Sequence, residues 1–328
     1  MPTESREVHL ARRPEGAPVA ADFAMVTTEV ADPGEGEVLV QNLILSVDPY
    51  MRPRLAADQP LDAPMLGGGL GRIVQSRNPK FKEGDLVRHG AGMREYFVSD
   101  GRGLQALAPD PALPLTVYMH ALGGTGFTAY GGLLAIGKLK DGEQVFVSTA
   151  AGAVGSVVAQ IAKIKGCYVV GSTGSPDKVR WLKDEVGLDA VIDYKATPIG
   201  PALAAVTPKG VDVYFENVGG DHLDAALVRM NTLGRIAVCG MISTYNGGGE
   251  PVRGLSNIIY RRVEIRGFVG SDFPHLNEAF VSDMTGWLKD GRMKYQETIL
   301  DGFERAPEGL IGLFEGRNTG KMLIRAAG

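Results

Sequence analysis

The fold of this chain is decided by the stretch Val145-Phe-Val-Ser-Thr-Ala-Ala-Gly-Ala-Val-Gly155-Ser-Val-Val-Ala-Gln-Ile-Ala-Lys-Ile-Lys165-Gly. An apolar strand leads into a turn of small residues and then into an amphipathic helix, which is how a dinucleotide-binding fold begins. Gly152 lets the backbone approach a pyrophosphate, and Gly155 lets the helix pack closely on the strand. A second apolar run, Cys167 to Ser172, follows at the distance that a right-handed β-α-β crossover requires. We therefore predict a parallel sheet with a pyrophosphate site at this turn.

Composition places the chain among soluble globular enzymes of about two domains. It has 328 residues and a net charge of −4, so it lacks the basic field that nucleic-acid binding requires. No apolar run is long enough to span a membrane, and the residues after Met1 do not form a signal peptide. We expect a cytoplasmic protein without a nucleic-acid or membrane partner.

The cysteine and histidine content argues against a metal site. The two cysteines, Cys167 and Cys239, fall in predicted buried strands and are interpreted as small core residues. Residues 1–140 contain no cysteine and only three histidines, so converging zinc ligands are not expected there. One of the histidines, His120, is interpreted as a structural residue rather than a general acid.

The pattern of apolar residues divides the chain in two. Short alternating runs between Pro and Gly turns in residues 7–110 indicate a compact β-barrel-like domain. Strands and helices then alternate, which predicts a doubly wound sheet of six strands. Those strands are Val145–Ser148, Cys167–Ser172, Ala190–Asp193, Val211–Phe215, Arg235–Cys239 and Val263–Phe268. A helix over Leu276–Lys289, a shorter one from near Pro307 and a strand over Met322–Arg325 follow, the last returning to the first domain.

The region about twenty residues beyond the glycine turn indicates which dinucleotide binds. An NAD site carries an acidic residue there, but this chain has Ser172-Thr-Gly-Ser-Pro176. The next helix opens with Asp177-Lys178-Val179-Arg180, so Lys178, with Arg180 as a possible second residue, can meet a 2′-phosphate. We predict NADPH as the cofactor, with solvated surface lysine and arginine as the alternative interpretation.

Ligands of open α/β sheets bind beyond the carboxyl ends of the strands. That rule selects Tyr194, Asn217, the loop Gly240–Tyr245, and Val269 with Gly270. Tyr194 is interpreted as a cover for the adenine or as a half-buried loop aromatic. Asn217 is interpreted as a cofactor contact or as part of a turn with the glycines that follow it.

Several separate motifs then resemble one family, the zinc-independent medium-chain dehydrogenases/reductases. The resemblance spans nearly the whole chain and is to the group of prostaglandin reductases (leukotriene B4 12-hydroxydehydrogenases), plant double-bond reductases and curcumin reductases. The motifs that carry it are Leu45-Ser-Val-Asp-Pro-Tyr-Met-Arg52, Gly124-Thr-Gly-Phe-Thr-Ala-Tyr130, Ala150-Ala-Gly-Ala-Val-Gly-Ser156, Tyr214-Phe-Glu-Asn-Val-Gly-Gly220, Cys239-Gly-Met-Ile-Ser-Thr-Tyr-Asn246 and Gly316-Arg-Asn-Thr-Gly-Lys321.

The resemblance implies an α/β protein with a GroES-like β-barrel catalytic domain and a Rossmann NADP-binding domain. The first would comprise residues 1–128 completed by 294–328, and the second residues 129–293, with the active site in the cleft and a homodimer as the assembly. Zinc-dependent relatives carry a Gly-His-Glu motif where this chain has Met65–Gly71, and a four-cysteine lobe that this chain lacks. The resemblance therefore implies no metal.

The resemblance also assigns the contacts with NADPH. Together with the residues selected above, the expected cofactor-binding set is Gly152, Ala153, Val154, Gly155, Ser156, Lys178, Tyr194, Asn217, Cys239, Gly240, Ile242, Ser243, Thr244, Tyr245, Phe268, Val269, Gly270 and Asn318.

The chemistry that follows is hydride transfer to the β-carbon of an α,β-unsaturated ketone or aldehyde, which leaves an enolate to be stabilised. A hydroxyl of Tyr260, matched by the resemblance to a tyrosine at the reacting end of the site, is the first expected donor, with Tyr50 and Tyr245 as further candidates. The α-carbon proton would come from Tyr260 or from water. Quinone reduction on the same scaffold, and NADPH binding without turnover as in crystallin-like relatives, remain the alternative functions.

Overall fold

The amino-terminal segment forms mostly short strands, as its alternating apolar residues predict. The structure is a computed structural model that describes residues 2–249 and 251–327. Its first elements are β1 (Thr3–Leu10), β2 (Phe23–Val30), β3 (Val38–Val47), α1 (Met51–Ala57), β4 (Gly69–Ser76), β5 (Leu86–His89), β6 (Tyr96–Ser99) and β7 (Gln105–Leu107).

The middle of the chain alternates helices and strands. The helices are α2 (Gly124–Gly131), α3 (Gly155–Ile164), α4 (Pro176–Arg180), α5 (Ile199–Val206), α6 (Gly220–Arg229), α7 (Ser256–Arg261) and α8 (Asn277–Lys289). The strands are β8 (Gln144–Val147), β9 (Tyr168–Thr173), β10 (Ala190–Asp193), β11 (Val211–Glu216), β12 (Met230–Val238) and β13 (Glu264–Gly267). The last elements of the chain are β14 (Glu297–Asp301), α9 (Ala306–Phe314) and β15 (Lys321–Arg325).

These elements form two compact units. Unit 1 comprises Met1–Met119 and Glu297–Gly328, and unit 2 comprises His120–Gln296. The resemblance implies domain limits at 128/129 and 293/294. The structure instead places residues 120–128 and 294–296 in unit 2. Most of the first segment belongs to α2, which packs against α3 inside unit 2.

Unit 2 contains the doubly wound sheet that the sequence predicts. Its six strands run parallel in the order β10-β9-β8-β11-β12-β13. All six predicted strands are present. β12 begins five residues earlier than predicted, at Met230, because a register shift against β11 and a left-handed Leu233 (φ 64°) let the chain pair across an irregular stretch.

The core of unit 2 explains why these residues form strands. Phe146 of β8 and Tyr214 of β11 are buried and stack with ring centroids 4.8 Å apart. Residues of α6 such as Leu223 and Leu227 pack on the same cluster. Burial of each such side chain contributes about 1.5–3 kcal/mol, which holds the apolar strands inside the sheet.

Unit 1 contains a seven-stranded sheet and a two-stranded sheet of β1 and β2. The larger sheet has the order β14-β15-β3-β4-β5-β7, with β6 also paired to β3. β15 lies between β14 and β3, so the predicted return of the last strand to the first domain is confirmed. The α/β class with a parallel six-stranded sheet and a separate sheet domain is likewise confirmed.

Among residues 2–249 and 251–327, no helix combines the length and apolar character that a membrane span needs.

Candidate active site

The turn between β8 and α3 ends at Gly155, where the backbone leaves no room for a side chain. Thr149 has a left-handed φ of 52°, and Gly152 N–H donates to the Thr149 carbonyl at 2.9 Å. A Cβ on Gly155 would lie 2.3 Å from the Thr149 oxygen. A larger residue at position 155 would therefore push α3 away from the turn, and the close packing expected of this glycine is present.

The start of α3 offers unused hydrogen-bond donors. The N–H groups of Ala153, Val154 and Gly155 have no acceptor within the part of the chain that the structure describes. They stand at the positive end of a ten-residue helix, where an anion is favoured. Ser156 is buried next to them, and its Oγ also lacks a partner among the described residues. These donors fit the pyrophosphate of a dinucleotide.

A buried histidine orients this turn. His120 Nε2 lies 3.1 Å from the Ala153 carbonyl oxygen, and the ring is fully buried. When Nε2 carries the proton, it donates to that carbonyl and fixes the peptide whose N–H belongs to Val154. Because the two groups of a trans peptide point in opposite directions, this bond directs the Val154 N–H away from His120. The sequence predicted a structural histidine but not its contact with this turn.

Lys178 lies in the first turn of α4, after β9. Ser175 caps the helix by accepting the Lys178 N–H at 3.4 Å, and Pro176 occupies the first helical position. Burial, and then the neighbouring Lys195, lower the pKa of the Lys178 ammonium group. Arg180, the other expected cation, forms an ion pair with Asp177 on the same helix. Lys178 is half-buried and Arg180 is exposed, so Lys178 is the better placed of the two for a phosphate at the end of β9.

Tyr194 lies beside the end of β9. Its N–H donates to the Thr173 carbonyl at 3.1 Å, and its hydroxyl is 2.8 Å from where a Cβ on Gly174 would stand. The ring meets His222 edge to face, with centroids 5.1 Å apart. Burial lowers the pKa of His222 to about 4, so this imidazole is neutral at physiological pH. The Tyr194 backbone is thus fixed by the bond to Thr173, and its ring packs against His222.

Asn217 follows β11 and is tied to the end of β8. Its N–H donates to Ser148 Oγ at 2.9 Å, and its Nδ2 donates to the Ser148 carbonyl at 2.7 Å. Glu216 is fully buried next to it and accepts from Val218 N–H and Ser148 Oγ. Burial raises the pKa of the Glu216 carboxyl group. This network fixes the carboxyl ends of two central strands, and the sequence did not reveal it.

The loop after β12 folds back onto the end of β11. Ile242 N–H donates to the Asn217 carbonyl and Ser243 N–H to the Val218 carbonyl, both at 3.1 Å. Burial, and then the charge of Glu216, raise the pKa of the Cys239 thiol to about 12. Thr244 bonds back to Met241 through both its N–H and its Oγ1. The loop residues expected to bind NADPH thus meet Asn217 at one edge of the sheet.

Within this loop, Tyr245 presents a hydroxyl to the same edge. The hydroxyl oxygen accepts the Met241 N–H at 3.3 Å and lies 3.1 Å from where a Cβ on Gly240 would stand. Because the oxygen already accepts a hydrogen bond, its own proton is polarised toward donation. A side chain at position 240 would therefore press on this hydroxyl and force it to shift by a few tenths of an ångström.

The segment after β13 is divided between packing and exposure. The Phe268 ring contacts Phe215 and Phe273 and covers Gly132. Val269 is exposed, and a Cβ on Gly270 would lie 2.8 Å from Thr128 Oγ1. The Phe268 side chain therefore serves the core, so a cofactor contact in this segment would fall to the backbone and to Val269.

Tyr260 is separated from the other predicted residues. It lies on α7, which precedes β13, and so stands near the amino end of that strand. Because all six strands are parallel, Asn217, Tyr245 and Phe268 lie at the opposite, carboxyl edge. The Tyr260 side chain is 76% exposed. The structure does not bring Tyr260 together with the residues expected at the cofactor.

Tyr50 and Asn318, the remaining predicted residues, lie in unit 1. The Tyr50 side chain is 46% exposed, and partial burial, followed by the charge of Asp48, raises the pKa of its hydroxyl to about 12. Asn318 Nδ2 donates to the Gly320 carbonyl at 2.7 Å. Its amide oxygen therefore remains the group that can accept from a ligand.

A buried lysine anchors the loop that carries Tyr50. Lys321 of β15 is 1% exposed, and its ammonium group donates to Asp48 Oδ1 at 2.9 Å and to the Val47 carbonyl at 2.6 Å. Asp48 also accepts a hydrogen bond from Ser46 Oγ. The sequence showed Lys321 only as part of a motif, since no local pattern reveals a buried charge pair across 273 positions.

No group of three or more histidine, cysteine, aspartate or glutamate side chains that could hold a metal ion occurs among the described residues. Both cysteines are free; Cys167 is buried, and Cys239 is partly exposed.

A six-stranded parallel sheet with open amide donors at its first helix, joined to a separate β-sheet unit, is the arrangement of a dinucleotide-dependent oxidoreductase. Comparison with family models agrees. Residues 6–107 match the N-terminal domain of oxidoreductase, and residues 153–285 match the model described as zinc-binding dehydrogenase.

Individual relatives narrow the assignment. The chain is 41% identical to the NADPH-dependent curcumin reductase of Escherichia coli strain K12, over 97% of this chain and 96% of that protein. It is also 41% identical to the NADP(+)-dependent 2-alkenal reductase of Nicotiana tabacum, over 98% and 97%. The crystal structure of CurA from Vibrio vulnificus in complex with NADPH matches with a TM-score of 0.93 at 39% identity, over 98% of this chain and 99% of that one. The chain belongs to the medium-chain dehydrogenase/reductase family, in the group that contains the curcumin and 2-alkenal reductases.

Proposed function

We propose that this protein is an NADPH-dependent reductase of the C=C bond of α,β-unsaturated ketones and aldehydes. The observation that carries the proposal is its similarity, over nearly its whole length, to relatives named as NADPH-dependent curcumin reductase and NADP(+)-dependent 2-alkenal reductase. The open amide donors at the start of α3 support it, because they fit the pyrophosphate of the cofactor.

Apart from Asn318, the residues that would hold NADPH lie at the carboxyl edge of the unit 2 sheet. The turn of Gly152, Ala153, Val154, Gly155 and Ser156 would bind the pyrophosphate. Lys178 would bind the 2′-phosphate, and Tyr194 would contact the adenosine. The remaining contacts would come from Asn217, the loop Cys239–Tyr245, the segment Phe268–Gly270 and Asn318.

NADPH supplies the hydride that adds to the β-carbon of the substrate. The task left to the chain is to stabilise the negative charge that develops on the carbonyl oxygen. We assign this to the Tyr245 hydroxyl, whose oxygen already accepts the Met241 N–H and whose proton is available for donation. Tyr50 is a second candidate donor, because partial burial keeps its hydroxyl protonated at physiological pH. Tyr260 is left out, because it stands at the other edge of the sheet.

We also propose that the reaction needs no metal ion. This is supported by the sequence, which has two cysteines in all and Met65–Gly71 in place of a Gly-His-Glu motif. The two free thiols fit a reducing compartment, so we keep the cytoplasm as the location.

A homodimer is proposed on the edge of the unit 2 sheet. Among the residues that the structure describes, β13 is the terminal strand and pairs only with β12. The preceding helix α7 carries Ile259 and Tyr260, and Leu255 comes directly before it; all three side chains are more than half exposed. An uncovered edge strand with adjacent apolar side chains favours association with a second copy, which would remove both from water.

The function is tested by measuring NADPH and NADH oxidation with 2-alkenals, aryl enones and quinones in the presence of EDTA, with products identified by mass. We expect the saturated carbonyl compound, formed with NADPH at a rate that EDTA leaves unchanged. Quinol as the sole product, or tight NADPH binding without turnover of any enone, would contradict the proposal. Loss of activity in EDTA that zinc restores would contradict the metal-free step.

A further inference from the structure

The ends of β9 and β10 bring two short segments together. Thr173 and Asp193 are paired across the parallel strands, and Tyr194 N–H donates to the Thr173 carbonyl. The residues that follow each strand, Gly174 on one side and Lys195 on the other, are therefore neighbours. Lys178 lies in the first turn of α4, the helix that follows Gly174 and Ser175.

The Lys195 side chain lies against Gly174, four residues before Lys178. Its Cε lies 3.2 Å from where a Cβ on Gly174 would stand, and its backbone is fixed by an N–H bond to Asp193 Oδ1 at 3.0 Å. Within the described residues, the Lys195 ammonium group forms no ion pair with a carboxylate. The charge of Lys195 also acts on Lys178, whose pKa it lowers in addition to the effect of burial.

We propose that Lys195 is a specificity-determining residue that, together with Lys178, binds the 2′-phosphate of NADPH. The inference deepens the proposed function and rests on its NADPH dependence. Two ammonium groups held near one another repel until an anion lies between them, and a dianionic phosphate relieves that repulsion. The ribose hydroxyl of NADH carries no charge and leaves the repulsion as it is in the free protein, so the pair raises the affinity for NADPH without raising that for NADH.

The surroundings of the two lysines suit a phosphate. Gly174 has no side chain, and the Tyr194 hydroxyl lies over it as a further donor. The nearest carboxylate on α4, Asp177, is paired with Arg180, and Asp193 is bonded to the Lys195 backbone. Both acids are thus engaged with partners of their own. A 2′-phosphate bound here would accept hydrogen bonds from Lys178, Lys195 and the Tyr194 hydroxyl.

The test is the dissociation constant of NADPH and of NADH for the full-length protein, measured by fluorescence titration. In Lys195→Met we expect the constant for NADPH to rise about tenfold, as for loss of one charge-assisted contact, while that for NADH changes less than twofold. Lys195→Arg should recover most of the NADPH affinity. Lys183→Met is the matched control, because Lys183 is exposed on the segment that continues α4 and should leave both constants within twofold.

A pH profile supplies a readout that a structural role would not change. Lys178 is charged below its lowered pKa, so NADPH affinity should fall as the pH rises through that value. Ionisable groups on the surrounding segments include Asp177 and Arg180 on α4, and Asp193 and Tyr194 at the end of β10. Lys195→Met removes the repulsion, so the decline in NADPH affinity should move to higher pH.

An unchanged NADPH-to-NADH affinity ratio in Lys195→Met would overturn the inference, as would an equal effect of Lys183→Met. Binding of 2′,5′-ADP separates this result from the proposed reaction, because it needs no nicotinamide and no substrate. Its affinity should fall about tenfold in Lys195→Met whether or not the enzyme reduces enones. If the wild-type protein reduces enones with NADPH but the variant binds 2′,5′-ADP as tightly, only the Lys195 assignment fails.

Discussion

At the scale of single residues, the tyrosines show what sequence reasoning can and cannot supply. Tyr245 and Tyr260 both lie between β12 and β13 of one sheet, and spacing alone does not say which edge of the sheet each reaches. The topology does, since α7 leads into β13 whereas the Tyr245 loop leaves β12. The resemblance identifies the motif around Tyr245, but it points first to Tyr260 as the hydrogen-bond donor to the enolate.

We expect Tyr245→Phe to lower kcat for an enone about 100-fold, because it removes one hydrogen-bond donor to the developing oxyanion. The KM for the enone should change less than threefold, since the ring and its packing remain. Tyr260→Phe is the comparison, and its kcat should stay within twofold of the wild type. The measurement is steady-state NADPH oxidation for both variants. A Tyr260→Phe variant with the larger loss would return the role to Tyr260.

Contacts made by distant residues were beyond prediction. Glu216 with Ser148, His120 with the Ala153 carbonyl, and Lys195 beside Gly174 each join segments far apart in sequence. The glycine turn, Lys178 and the strand-end residues could be located, because a parallel sheet places the ends of its strands at one edge.

At the scale of elements, apolar runs located all six parallel strands, since strands buried on both faces consist of continuous apolar residues. The observed strand limits differ from the predicted ones by one residue at most ends and by five residues at the start of β12. There, Met230-Asn-Thr-Leu-Gly234 has the composition of a turn, but Met230 pairs with Val211 of β11, so the strand starts before the register shift. Tertiary pairing overrode a local preference.

β15 is fixed by the buried ion pair of Lys321 with Asp48, and the contribution of this pair to the free energy of unfolding can be measured. We expect Lys321→Met to lower the free energy of unfolding of unit 1 by about 3–5 kcal/mol, because Asp48 keeps its charge without its partner. Replacing Asp48 by Asn in the same chain should recover part of the loss. The measurement is urea-induced unfolding followed by circular dichroism, with amide hydrogen exchange of residues 321–325.

Arg325→Met is the matched control on the same strand. Its ion pair with Asp301 is exposed, and exposed pairs contribute about 0–1 kcal/mol. Equal losses in Lys321→Met and Arg325→Met would show that the buried pair is no stronger than the surface one.

At the scale of the whole molecule, the proposed dimer depends on the edge of the unit 2 sheet. We expect Ile259→Lys to convert the dimer to a monomer of about 35 kDa, because it places a charge on a surface that a second copy would cover. Ile259 is 75% exposed, so the unit itself should fold as before. The measurement is light scattering after size exclusion, with Val281→Lys on α8 as the control. A wild-type monomer, or a dimeric Ile259→Lys variant, would contradict this interface.

The interrupted course of unit 1 has a consequence for synthesis on the ribosome. Unit 2 is made from one continuous stretch, so all of its strands are available once residue 296 has emerged. The sheet of unit 1 must wait, because β15 is an inner strand and β3 has an open edge until residues 321–325 arrive. The nascent protein therefore completes unit 1, whose synthesis starts before that of unit 2, only after unit 2 has been made, and Lys321 enters its buried position after the whole of unit 2 has emerged.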